Sequence, residues 1–163
     1  MNYLCLRVIL KKVYKFKIFA FLLFLTGISG CKLFTGEIKA RESEGRLSIG
    51  SMNRAQQRYF LENEKFTTEL DMQSKVENYD LKIVPLTDTD KAIMHIAQAK
   101  REDIKNYLGL VYAIKVNGAA LTISQVCEAE NNTPLTSTPE IPKLIENATS
   151  EDIKCPSGFK SLT

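Results

Sequence analysis

The clearest recurrence of apolar positions in this chain follows a helical step. Ile49, Met52, Ala55 and Tyr59 come at intervals of three and four, which gathers them on one narrow face. The opposite side carries Arg46, Asn53, Arg54, Gln57 and Glu64. Upstream, Glu37, Lys39, Arg41, Glu42 and Glu44 mix both signs of charge, as i,i+4 pairs in a solvated first half require. The pattern predicts one long amphipathic helix over 37–63, with an aromatic-rich exit around Phe60 and Phe66. Gly45 and Gly50 weaken it, each by about 1 kcal/mol relative to alanine. So narrow a stripe needs a sheet to lie on.

Strand signals follow. Residues 79–84 (YDLKIV) alternate strictly until Pro85 stops them, as a half-buried strand should. Residues 91–100 (KAIMHIAQAK) are apolar in both registers, so the inward face stays open and a helix is also compatible. Arg101 to Asn106 reads as a charged connection. The sharpest local signal is Asn117-Gly118, the favoured type I′ hairpin turn, between GLVYAIKV and AALTISQVC. A two-residue turn sets Val116 opposite Ala119, Ile114 opposite Leu121 and Tyr112 opposite Ile123. The alternate face then pairs Lys115 with Ala120, Ala113 with Thr122 and Val111 with Ser124. The first face is the more apolar, and the expectation is that it covers the Ile49–Tyr59 stripe. From Glu128 the chain turns rich in Pro, Thr, Asn and Glu, with too few apolar residues to fold alone. No internal repeat is visible.

Charge and composition change this picture at one end. The chain has 163 residues and a formal net charge of +3, an ordinary globular composition for one domain. Residues 1–30 contain Arg7, Lys11, Lys12, Lys15 and Lys17 and no acid, so the remainder carries 17 basic against 19 acidic residues. A nucleic-acid footprint disappears with that division. Ile18 to Ser29 is an apolar run of about a dozen residues, roughly 18 Å as a helix against a hydrocarbon core of about 30 Å. A basic start, a short apolar centre and small residues at the end describe a signal peptide over 1–30, with the mature domain at 31–163. Ile28-Ser29-Gly30-Cys31 resembles the lipobox of bacterial lipoproteins, which makes Cys31 the expected lipidation site. Lys32 in place of Asp resembles the outer-membrane-sorted class. The expectation is an exported protein, anchored by lipid on Cys31 at the periplasmic or cell-surface side.

Four cysteines then sort themselves. Cys5 leaves with the signal peptide and Cys31 takes lipid. Cys127 and Cys155 remain in an oxidising compartment, where a disulfide is the default. A metal alternative finds one imidazole, His95, and no CxxC spacing.

The run from Ile49 to Phe66 (IGSMNRAQQRYFLENEKF) resembles type IV pilin-like proteins of the G/H family, known chiefly from cyanobacteria. Asn78-Tyr79, Lys105-Asn106-Tyr107-Leu108-Gly109, Cys127-Glu128 and Cys155-Pro156-Ser157-Gly158 match as well, so the resemblance covers about residues 40 to 160. It implies an α+β, pilin-like fold. In such a fold a long N-terminal amphipathic helix packs on a small antiparallel sheet, here about 79–127. A C-terminal disulfide-bounded loop, 127–155, closes it. The start departs from pilins. Their leader ends in Gly before Phe and a long apolar run, whereas Cys-Lys-Leu-Phe-Thr-Gly-Glu follows Gly30 here. A lipoprotein-like anchor stands where the pilin stalk would be.

No catalytic constellation accompanies this framework. His95 has no Ser, Cys or Asp partner in pattern and reads as a structural histidine. Glu151-Asp152 and Glu128/Glu130 read as solubilising acids rather than Ca²⁺ ligands. Gln56-Gln57-Arg58-Tyr59 is a candidate contact surface, though packing explains Tyr59 equally well. The sequence thus predicts a non-enzymatic protein with no cofactor, no metal, no nucleic acid and no evident small-molecule substrate. Its expected partners are the membrane, through Cys31, and pilin-like, pilus or type II secretion-like components in an accessory, minor-pilin-like role. The alternative is a free-standing envelope binding module on a pilin scaffold.

Overall fold

The computed structural model describes residues 30–71, 76–85, 91–144 and 148–162. The chain forms two compact units, Met1–Lys39 and Ala40–Thr163, and the second is the head considered below. The signal-peptide reading falls on residues 1–29, outside the described residues, as do Ile28 and Ser29 of the lipobox.

Helix α1 spans Gly30–Asn63. It includes residues before the expected start at Glu37, and Gly36 within that stretch lowers its intrinsic helix propensity. It ends at Asn63 as the pattern predicts. Glu64 adopts φ 55°, and its amide donates to the Phe60 carbonyl at 2.7 Å, the left-handed cap that closes a last turn. The exit then folds back. Phe66 meets Phe60 with ring centroids 4.9 Å apart.

Five strands follow, β1 (Tyr79–Pro85), β2 (Ala92–Ala99), β3 (Tyr107–Val116), β4 (Ala119–Ala129) and β5 (Phe159–Ser161). They form one antiparallel sheet in sequence order. The segment 91–100 is a strand, and its two apolar registers have a simple cause: both of its faces are covered. Ile93 and His95 lie under α1, while Met94 and Ile96 belong to a second cluster on the far side. At the hairpin, Asn117 and Gly118 take φ 51° and 82°, and every predicted pair from Val116–Ala119 to Val111–Ser124 is formed.

The expected facing of that hairpin is inverted. Val111 and Ala113 pack with Phe60, Phe66, Ile83 and Ile93 on the helix side, and Gly109 lies beneath Ile49 and Asn53. Leu108, Leu110 and Tyr112 point away, into a cluster with Met94, Ile96, Cys127 and Ile153 that Leu135, Ile141 and Leu144 cover. Ile114 shares that side and is only half-buried, and Leu121 beyond it is 43% exposed. The physical reason is clearance. The Ile49 and Asn53 side chains of α1 lie directly on the strand at Gly109, where a Cβ would collide with them, while Leu108, Leu110 and Tyr112 are covered by the irregular C-terminal segment. That segment contributes few apolar side chains, yet enough to make a third layer.

The helix stripe is rotated by the same constraint. Ile49 and Met52 are fully buried as expected, but the stripe continues through Asn53, Gln56 and Phe60, leaving Ala55 and Tyr59 half-buried at its border. Asn53, expected on the solvent side, is 2% exposed. Gly45 is also more than a weak point in the helix, since a Cβ there would lie 2.5–2.8 Å from the Tyr79 ring.

These contacts separate the glycines by sign. At Gly109 a methyl group would collide with the Asn53 side chain and come within 2.8 Å of Ile49. At Gly50 it would meet only the Arg54 guanidinium, at 3.5 Å. Gly109→Ala should therefore destabilise the head by about 1–3 kcal/mol, and Gly50→Ala should stabilise it by about 0.5–1 kcal/mol. Chemical denaturation of the two variants beside wild type measures both.

Candidate functional site

Polar attachments hold α1 to the sheet and its entry. Near its middle, the Glu44 carboxylate accepts from the Glu77 amide at 2.7 Å and from Asn78 at both its amide (3.1 Å) and its side chain (2.7 Å). Burial would raise the pKa of Glu44, but these donors outweigh it and hold the group below the ordinary carboxylate range. One turn beyond Ile49, Asn53 reaches in two directions. Its Nδ2 donates to the Gln125 carbonyl on β4 at 3.1 Å, and its Oδ1 faces His95 Nδ1 on β2 at 2.8 Å. Because that oxygen can only accept, the proton of the neutral imidazole sits on Nδ1. Gly109 on β3, directly opposite His95, leaves the room that Asn53 occupies.

His95 is wholly buried, and burial pulls its pKa down from 6.5 to about 4. It is a structural histidine that pins helix to strand. Tyr79 and Tyr107 stand edge to face, with centroids 6.0 Å apart, and burial raises both phenols. Two acids of the C-terminal region, Glu128 and Asp152, likewise have architectural partners. Glu128 is bridged by Lys105 at 3.4 Å and Lys160 at 3.2 Å. Asp152 accepts from the Thr149 amide at 2.7 Å and its hydroxyl at 2.9 Å, which holds its carboxyl below the usual range. Among the described residues no three His, Cys, Asp or Glu side chains group as metal ligands. An open groove of about 280 Å³ runs past Asn106, Thr133, Leu135, Ser137 and Phe159. Asn106 is already committed there, accepting from the Ala99 amide and donating to the Thr133 carbonyl.

Of the residues singled out from sequence, Cys127 and Cys155 are bonded, joining β4 to the start of the terminal turn that leads into β5. Cys31 lies in the first turn of α1. Gln56, a candidate contact residue, is turned inward instead and exchanges two hydrogen bonds with the Thr67 backbone. Gln57 reaches the Thr122 carbonyl at 3.5 Å. What sequence reasoning missed are the inward-facing polar groups Glu44, Asn53 and Gln56. One signal was available: a glycine inside the strand pattern, Gly109, marks the close approach of another element.

Residues 42–156 match the model of the type IV pilin-like G and H family, and the chain belongs to that family. Neither curated proteins nor solved structures yield a match to the chain. Pilin-like proteins are in general structural rather than enzymatic. The helix, the meander sheet and the disulfide-closed C-terminal segment described above are the parts of this chain's pilin-like fold.

The disulfide bounds a segment with a sequence separation of 28. By the loop-entropy argument it contributes about 3–4 kcal/mol. Replacing both cysteines by alanine should lower stability by about 2–5 kcal/mol. Limited proteolysis should then cut first between residues 131 and 144, which form no helix or strand, before the strands are touched. Wild-type resistance in that segment would show that Leu135, Ile141 and Ile153 hold it without the bond.

Proposed function

We propose that the protein is a lipid-tethered accessory component of the cell envelope, acting beside type IV pilus or type II secretion-like machinery as a minor-pilin-like interaction protein. The observation that carries this reading is the junction at Cys31, where a lipobox-like sequence meets a pilin-family head beginning about ten residues later. Lipid on that cysteine holds the N-terminus at a membrane surface, outer rather than inner, with the head outside it. None of the described helices is long and apolar enough to cross a membrane.

The same junction argues against a bulk filament subunit. Filament cores of this type bundle long apolar N-terminal helices. Here the early part of α1 carries Glu37, Lys39, Arg41, Glu42 and Glu44. Taking such charges out of water into an apolar bundle carries a desolvation penalty of several kcal/mol each. Partners built from similar heads are the natural class, since a pilin-like surface is shaped to meet its own kind. The free-standing binding module has less support: the groove past Asn106 is open and lined by groups with partners of their own, not a deep apolar pocket.

Two measurements check the proposal. Labelling with a fatty-acid analogue should mark wild type and not Cys31→Ser; equal labelling, or none, removes the tether. Sheared pili should contain at most traces of this chain, while cross-linking in membranes should recover pilin-like partners. Stoichiometric amounts along the shaft would refute the accessory role.

A further inference from the structure

The seam beneath α1 differs in kind from the opposite face of the sheet. Ser48, Asn53, Gln56 and His95 are buried there among Ile49, Met52 and Phe60. Two buried polar atoms, Tyr79 Oη and His95 Nε2, have no hydrogen-bond partner among the described residues. Both residues lie under the helix, Tyr79 against Gly45 and His95 against Asn53. The far face has the apolar cluster around Leu108, Leu110 and Tyr112, and the disulfide covalently fastens its cover.

We propose that the Asn53–His95 contact is an acid-sensitive latch: protonating His95 releases α1 from the sheet while the strands stay paired. The geometry makes the contact intolerant of charge. A second proton must go on Nε2, because Nδ1 already carries one toward Asn53, and Nε2 is enclosed with no acceptor. The residues facing the ring offer no counter-charge. They are Ile49 and Asn53 on α1, Ile83 across from it on β1 and Gly109 across from it on β3. The ionisable groups on those elements lie elsewhere. On α1, Arg46, Arg54, Arg58 and Glu62 are exposed, Tyr59 is half-buried at the border of the stripe, and the charged residues from Glu37 to Glu44 lie nearer the start of the helix, with Glu44 engaged by Glu77 and Asn78. Asp80 and Lys82 are on the alternate face of β1, and Lys115 is at the exposed hairpin end of β3. Tyr79 and Tyr107, on the same face as His95, stay neutral through the acid range. On β2 itself His95 is the only ionisable residue.

The direction follows from linkage. The released imidazole binds its proton at about 6.5 and the latched one only at about 4. The released state therefore holds more protons between those values, so the latch is intact above pH 6.5 and weakens as pH falls through that window. At pH 5 the latching equilibrium should have fallen by about 30-fold relative to pH 7.5. The carboxylates held low by their partners, Glu44, Asp103, Glu128 and Asp152, respond only in stronger acid. The window from 7 to 5 belongs to His95. This inference does not depend on the tether or on the partners proposed above.

The test uses the full chain in detergent micelles, whose single histidine gives one labelled imidazole signal. Hydrogen exchange, corrected for intrinsic pH dependence, should show residues 45–60 losing protection by about 30-fold from pH 7.5 to pH 5. Residues 107–112 of β3 should keep theirs. The ¹⁵N-labelled ring should report the Nδ1–H tautomer at pH 7.5. His95→Asn, which keeps a donor for Asn53 and cannot titrate, should abolish the pH response. Helix and strands losing protection together would overturn the latch. So would a ring that titrates near 6.5 with helix protection unchanged, or a response that persists in His95→Asn. Should that variant fail to fold, the wild-type ring titration and protection pattern decide on their own.

Discussion

The architecture of the head turns on one close approach, that of α1 to the backbone of β3 at Gly109. With no side chain on that residue, Ile49 and Asn53 sit directly over the strand. Asn53 then spans β2 and β4 through His95 and the Gln125 carbonyl. Three strands are thereby referenced to one helical side chain. The apolar contacts of Phe60, Phe66, Ile93 and Val111 add burial beside it, but they are non-directional and would tolerate the helix sliding along the sheet. The amide bonds set where along its length α1 stops. Glu44, nine residues earlier, holds Glu77 and Asn78 at the entry to β1, so the chain leaves the helix and returns to it at two determined points.

A division of labour between the faces of the sheet follows. In the middle of β3, Gly109, Val111 and Ala113 go under the helix, and Leu108, Leu110 and Tyr112 go under the C-terminal segment, where they meet Leu135, Ile141, Leu144 and Ile153. Tyr112 also donates its hydroxyl proton to the Pro142 carbonyl at 2.8 Å. A segment too polar to fold by itself thus gains a place because the sheet offers it the apolar surface it lacks, and the Cys127–Cys155 bond keeps it there. This leaves the outer side of α1, with Leu47 63% and Leu61 66% exposed, and the hairpin tip as surfaces not used by the internal packing described above.

Legibility of the sequence followed the range of the interaction. Local rules were sufficient for the Asn117-Gly118 turn, the register that it sets, the strand before Pro85 and the end of α1 at Asn63. The cysteine pairing was readable from compartment logic. Long-range facing was not. Ile114, Tyr112 and Leu121 look like the core side of a hairpin by size, whereas the side that meets the helix is the one on which Gly109 leaves room for Ile49 and Asn53. Asn53 and Gln56 were read as surface because amides usually are; their burial depends on acceptors and donors at Gln125, His95 and Thr67, which no spacing along the chain reveals.

The central claim is that Asn53 and His95 act as one unit in holding helix to sheet. A double-mutant cycle measures this most directly, with Asn53→Ala, His95→Ala and the pair compared by urea denaturation at pH 7.5, where the imidazole is neutral. The account predicts strong non-additivity: the double variant should lose about 1–3 kcal/mol less than the sum of the singles, because each single leaves the other's buried polar group without its partner. Losses that add to within about 0.5 kcal/mol would contradict it, making the contact incidental to apolar packing.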